Sequence, residues 1–154
     1  MNRTRRILLK GSGAAGAFAA AAAAGVLKPA IAAEWNKAAF SVNSTAEALK
    51  AIGATSPTES SQITIKAPEI AENGAVVPVE VSSKILDTQS IAIVVDKNPV
   101  PLAASFDLAS GADGFVSTRI KMGETSKVFA VVKADGKYYT AAKEVKVTIG
   151  GCGG

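Results

Sequence analysis

Residues 126–149 read "SKVFAVVKADGKYYTAAKEVKVTI". Val128, Ala130 and Val132 recur at every second position, and so do Val145, Val147 and Ile149, with lysines between them. Side chains two apart share a face of an extended chain, so this spacing predicts two half-buried strands. Between them, "KADGKYY" puts Asp135-Gly136 where a two-residue hairpin needs residues that tolerate left-handed backbone. The stretch predicts a β-hairpin with an apolar face turned inward. Tyr138 and Tyr139 are adjacent, so they are expected on opposite faces, one in the core and the other at a surface or interface.

The same period runs through the chain before it. "SQITIK" alternates Ile63 and Ile65, and "VVPVEVSS" puts Val77, Val79 and Val81 on one face. "SIAIVVD" alternates Ile91, Ile93 and Val95, and "GFVSTRIKM" puts Val116, Thr118, Ile120 and Met122 on one side. Asn73-Gly74, Asn98-Pro99 and Asp113-Gly114 mark turns between these runs. Pro78 has no N–H for a ladder bond, so its strand is expected at a sheet edge or bulged at that residue. Short strands separated by regular turns, with no helix between them, predict a mainly β fold: an immunoglobulin-like antiparallel β-sandwich.

Ahead of the strands, short N-terminal helices are expected. "EWNKAAF" can carry Trp35, Ala38 and Ala39 on one helical face. In "SVNSTAEALKAIG", Ser44 precedes Glu47 by three residues, the capping-box spacing, and Gly53 suits the C-terminal stop. The expected organisation is a leader over 1–32, a helical segment over 33–53, the sandwich over 54–149 and a glycine tail over 150–154.

The leader reads as an export signal. Arg3, Arg5, Arg6 and Lys10 precede a mildly apolar run from about Ala14 to Leu27, and Ala30-Ile31-Ala32 is a small-x-small cleavage site. "TRRILLK" matches the twin-arginine export pattern through Arg5 and Arg6, with an ordinary secretory signal as the alternative. Either route predicts an exported protein; the twin-arginine route places it in the periplasm, cut near Ala32. The apolar run is shorter than the ~20 residues a membrane-spanning helix needs, so no membrane insertion is expected after cleavage.

Charge and residue inventory narrow the chemistry. The chain has 17 basic and 13 acidic residues, and the leader holds five of the basic ones and no acid. The remaining 122 residues carry 12 against 13, a net charge of −1, so the basic isoelectric point belongs to the leader and gives no support for nucleic-acid binding. With no histidine and one cysteine, a Ser/His/Asp or Cys/His nucleophile pair, an internal disulfide and a thiolate zinc cage are all excluded. No metal and no resident cofactor is expected.

The one cysteine is Cys152, in the terminal "VTIGGCGG". Gly150, Gly151, Gly153 and Gly154 flank it, which predicts a thin and flexible arm. Cys152 lies three residues past Ile149, on the order of 10 Å of extended chain. A glycine arm cannot hold a thiol against an activating group of its own body, which fits a thiol delivered into another protein's active site. Three other readings fit less well. A prenylation box needs the cysteine fourth from the end, and here it is third. A lipoprotein cysteine would follow the leader directly. The Gly-Gly terminus of ubiquitin-like sulfur carriers is activated with ATP, which an exported protein does not meet. An exported binding or structural sandwich whose tail cysteine forms an intermolecular disulfide remains open.

Taken together, the twin-arginine leader, "NGAVVPVEV" (73–81), "KNPVPL" (97–102) and the terminal "VTIGGCGG" resemble the SoxY family, over essentially the whole chain after the leader. That family comprises sulfur-carrier subunits of the thiosulfate-oxidising Sox system. The resemblance implies that Cys152 carries thiosulfate-derived sulfur species covalently and that the chain itself is not an enzyme. It implies a heterodimer with a SoxZ-like second β-sandwich subunit. It also implies visits to a haem-containing sulfur-transfer enzyme, a sulfate thiol hydrolase and a sulfane dehydrogenase.

Overall fold

The computed structural model describes residues 36–148. The leader, Trp35, Ile149, Gly150, Gly151, Cys152, Gly153 and Gly154 lie outside these residues. Among the described residues there is one helix, α1 (Thr45–Ala51). The strands are β1 (Thr58–Glu59), β2 (Ile63–Lys66), β3 (Ile70–Ala71), β4 (Val77–Ser83), β5 (Thr88–Val95), β6 (Leu102–Asp107), β7 (Phe115–Ile120), β8 (Ser126–Ala134) and β9 (Lys137–Val147). The larger sheet runs β1-β9-β8-β5-β6, with β3 also on β9; the smaller runs β2-β4-β7. The fold is mainly β, and the two sheets face each other across one apolar core.

The hairpin at 126–149 organises the larger sheet. Asp135 and Gly136 both take left-handed backbone, φ 48° and 70°, which matches the twist of the strands they join. β8 and β9 then pair antiparallel from Ala134↔Lys137 to Ser126↔Val145. Val128, Ala130, Val132 and Val145 turn to the core and meet Ile91, Ile93 and Val95 of β5. Val77, Val79, Val81, Val116, Ile120 and Met122 close it from the smaller sheet. Each fully buried Val or Ile contributes roughly 1.5–3 kcal/mol relative to exposure.

The outer face of the larger sheet is also covered. Ala92 and Val94 of β5, Leu102 and Val131 pack against Ala39, Ala48 and Ala54 of the N-terminal segment, with Phe40, Val42 and Leu49 beside them. β5 is therefore buried on both faces, so its run is apolar at consecutive positions as well as alternate ones. The seat of α1 is set locally. The Ser44 hydroxyl accepts from the Glu47 N–H at 3.2 Å. At the other end Ala54 N–H donates to Leu49 and Gly53 N–H to Lys50, the paired bonds of a Schellman stop, with Gly53 at φ 83°. The Tyr138 hydroxyl then donates to the Ile52 carbonyl at 2.8 Å, tying β9 to the helix end.

Three expectations need correction. Residues 37–40 form hydrogen-bonded turns, not a helix: Ala39 N–H donates to the Asn36 carbonyl, and the Asn36 side chain also accepts from Ala39 and donates to the Ala51 carbonyl. An asparagine side chain that takes up nearby backbone groups competes with helical bonding. The sheets are not wholly antiparallel, because β1 and β3 both run parallel to β9. Pro78 stands in the central strand of the smaller sheet, in unbroken register with β7.

The reason Pro78 is tolerated there is geometric. Ser83 N–H donates to Gly114 on the β7 side, and Lys84 N–H donates to Gln62 on the β2 side. Ladder bonds alternate along a strand, so Pro78 directs its missing N–H toward β2. β2 ends at Lys66, opposite Glu80. The strand is central, but at Pro78 it has no neighbour on the side that would want the donor. The two tyrosines do split between faces, and neither is a free surface residue: Tyr139 packs on the core between the sheets and Tyr138 on the cluster beneath the N-terminal segment.

Candidate functional site at the root of the C-terminal tail

β9 is the strand that delivers the tail, so its last residues define where the tail starts. β8 supports β9 as far as the pair Ser126↔Val145. Beyond it, β8 turns away, and the next inward N–H, that of Val147, would be left unpaired. The Thr125 hydroxyl accepts from it at 3.0 Å. On the opposite side β3 supplies the acceptors: Lys146 N–H donates to Glu69 at 2.9 Å and Thr148 N–H to Ala71 at 3.2 Å. The Thr148 hydroxyl adds a bond to the Glu72 carbonyl at 3.3 Å.

The turn after β3 closes the seat. Asn73 accepts from the Ala75 N–H through its side chain, folding the turn on itself. The Gly74 carbonyl accepts from Met122 N–H at 2.7 Å. A Cβ on Gly74 would overlap the Met122 carbonyl oxygen and would stand 2.9 Å from Val147 Cγ1. Only glycine lets the 72–76 turn sit this close to the end of β9. A second lock reaches the same corner: the Asn98 side chain donates to Lys121 and accepts from Gly123, and Lys97 N–H donates to the Ser126 hydroxyl. The segments "NGAVVPVEV" and "KNPVPL" thus meet at one end of the sandwich, the end where β9 finishes.

Among the described residues no three Cys, Asp or Glu side chains come together as metal ligands. The one ion pair among them, Lys66–Glu80 at 3.3 Å, is a solvated cross-strand pair on the smaller sheet. Two open hollows lie around the β8–β9 turn, one beside Gly53, Gly136 and Tyr138, the other beside Leu86, Gly111 and Asp135. Neither includes a residue of the tail root. No helix of the described residues is long and apolar enough to cross a membrane. Periodicity foretold β2, β4, β5, β7, β8 and β9, but not β1, β3 or β6, nor the parts that Thr125 and Gly74 play at the end of β9. The only available signal was the short apolar pair Ile70-Ala71 just ahead of an Asn-Gly turn.

The fold defines a class: a two-sheet β domain whose last described strand is paired on both sides and ends against the 72–76 turn. A family model described as "Sulfur oxidation protein SoxY" matches residues 48–152. The chain belongs to the SoxY family. Among solved structures it is similar to the sulfur carrier protein SoxY from Chlorobium limicola f thiosulfatophilum, with 47% identity and a TM-score of 0.58, over 65% of this chain and 94% of that one. Two other structures, an engineered protein at 21% identity and toxic shock syndrome toxin-1 at 10%, have TM-scores of 0.41 and 0.40 and carry no argument. The search of curated proteins gives no match.

Proposed function

We propose that the chain is the covalent sulfur carrier of a periplasmic thiosulfate-oxidising system, with the Cys152 thiol as the attachment point. The observation that carries this reading is the extent of the family match, which runs through Cys152, the one thiol of the chain. The glycine pairs on either side suit a narrow arm that enters another protein's site. The similar solved structure is itself described as a sulfur carrier.

In this reading the chemistry belongs to partners. A haem-containing sulfur-transfer enzyme removes two electrons and one proton as the thiol joins the outer sulfur of thiosulfate, giving Cys–S–S–SO₃⁻. A sulfate thiol hydrolase adds water across the terminal S–S bond, releasing sulfate and a proton and leaving the persulfide. A sulfane dehydrogenase takes six electrons from the outer sulfur, with three waters supplying oxygen, to give Cys–S–SO₃⁻. A second hydrolysis releases sulfate and restores the thiol. The carrier pairs with a SoxZ-like β-sandwich subunit. The twin-arginine leader takes it out folded, so a partner without a leader can travel with it.

Intact mass of the chain purified from thiosulfate-grown cells tests the proposal. Sulfur and sulfonate adducts confined to the C-terminal peptide are expected. A stable disulfide from Cys152 to a single partner, with no such adducts, would replace the carrier by an exported binding or structural protein.

A further inference from the structure

We infer that the 69–74 segment and Thr125 form a clasp that sets the working length of the tail, with Gly74, Thr125 and Thr148 as its positioning residues. The inference deepens the carrier reading and rests on it only for its purpose; the clasp itself is a statement about where the tail is rooted.

The argument starts from what a strand end does by itself. β9 loses its β8 neighbour after Val145, and an unpaired strand end in water frays. Left alone, the tail would begin near Lys146. Instead Val147 is held on one side by the Thr125 hydroxyl, and Lys146 and Thr148 on the other by the Glu69 and Ala71 carbonyls. These acceptors come from two segments far from β9 in sequence, the Thr148–Glu72 bond spanning 76 positions and the Val147–Thr125 bond spanning 22. Pairing only two residues of β3 with β9 adds little to a sheet that already has long ladders. Its location is what distinguishes it, because it lies against the last two residues of the strand, Lys146 and Val147. The turn that follows is then pressed against Met122 and Val147 at a distance that only a glycine permits.

The clasp fixes a length. Thr148 is the last described residue that the clasp holds, and Cys152 stands four residues beyond it, at most about 13–14 Å of extended chain. Without the bonds to Val147 and Thr148, the root recedes to Lys146, which Glu69 still holds. The arm then gains two residues, about 7 Å of freely swinging chain, from a root set back by the same length, so Cys152 sweeps a wider range of positions close to the body.

The full chain lends itself to the test, because Cys152 is its only cysteine and takes a spin label selectively. A second label goes on Lys137→Cys, an exposed position at the far end of β9. Distances between the labels are compared in three backgrounds: wild type, Thr125→Val with Thr148→Pro, and Thr125→Ser with Thr148→Ser. The valine and proline remove the Thr125 acceptor and both Thr148 donors, whereas the serines keep all three groups. The expected result in the Val/Pro pair is a broader distribution that spreads toward shorter distances, with an unchanged outer limit because the freed residues are already extended at the end of β9. The Ser/Ser pair should coincide with wild type. A Val/Pro distribution identical to wild type overturns the clasp. So does a lowered melting temperature without a change in distance, which would make the contacts purely stabilising. Gly74→Ala should move the distribution the same way; if that variant does not fold, the threonine pairs still decide. No turnover is measured, so the carrier reading and the clasp can fail separately.

Discussion

The two ends of β9 are held in opposite ways. At its start, two adjacent residues suffice: Asp135 and Gly136 adopt left-handed backbone and the hairpin register follows. At its finish, the strand depends on Thr125, on the carbonyls of β3 and on the space left by Gly74. One end is a local device, decided within four residues. The other is assembled from segments that meet only in the folded protein. On the carrier reading, the difference matches the work of each end: the turn has only to stay closed, while the finish has to place a tail.

If that division is right, changes at the two ends should separate stability from turnover. The largest effect is expected beyond the finish. Cys152→Ser should abolish thiosulfate-dependent turnover in a reconstituted system, with unfolding free energy within about ±0.5 kcal/mol of wild type. Retained turnover, or a clear fall in melting temperature, would break the comparison at its strongest point.

A graded effect comes next. Replacing Gly151 and Gly153 by Ala, Val and Trp should slow processing by partner enzymes increasingly in that order, since each step widens and stiffens the segment. Reaction of Cys152 with a small maleimide should stay nearly constant across the series. A tryptophan variant processed at the wild-type rate would mean that the tail does not thread into a narrow site.

The smallest effect is expected at the start of the strand. Gly136→Val should cost about 1–2 kcal/mol, because a β-branched residue is strained in left-handed backbone. A Cβ there meets nothing within 4 Å, so the cost is backbone strain alone. Denaturant unfolding measures it. Turnover well below the transition should be unchanged; a loss as deep as that of the Gly151→Trp variant would erase the distinction between the two ends.

The same contrast explains what the sequence disclosed. Val77, Val79 and Val81, or Val128, Ala130 and Val132, declare a buried face because alternation needs only neighbouring residues. Asp135-Gly136 and the Ser44–Glu47 cap are equally local, and both appear where their spacing put them. The second burial of β5 was hidden, since Ala92 and Val94 take their partners from the N-terminal segment. Pro78 misled for the same reason: whether a missing donor matters depends on how far β2 extends, and nothing near Pro78 says so. At the tail, the glycines and the lone cysteine were conspicuous in the sequence, while the residues that seat its root were not. Thr125 is an ordinary threonine until the end of β9 comes to rest beside it.

The position of β9 within the larger sheet also bears on when the protein can fold. β9 is bonded to β8 on one side and to β1 and β3 on the other, so the last strand of the described residues is an interior one. A chain still missing it exposes β8 and leaves β1 and β3 without a partner. Topologies dominated by such distant pairings fold in roughly milliseconds to seconds. Closure of the larger sheet therefore waits for β9. On the proposed folded export, the sandwich closes while Cys152 is still in the reducing cytosol, and the thiol meets oxidants only after the body that carries it is built.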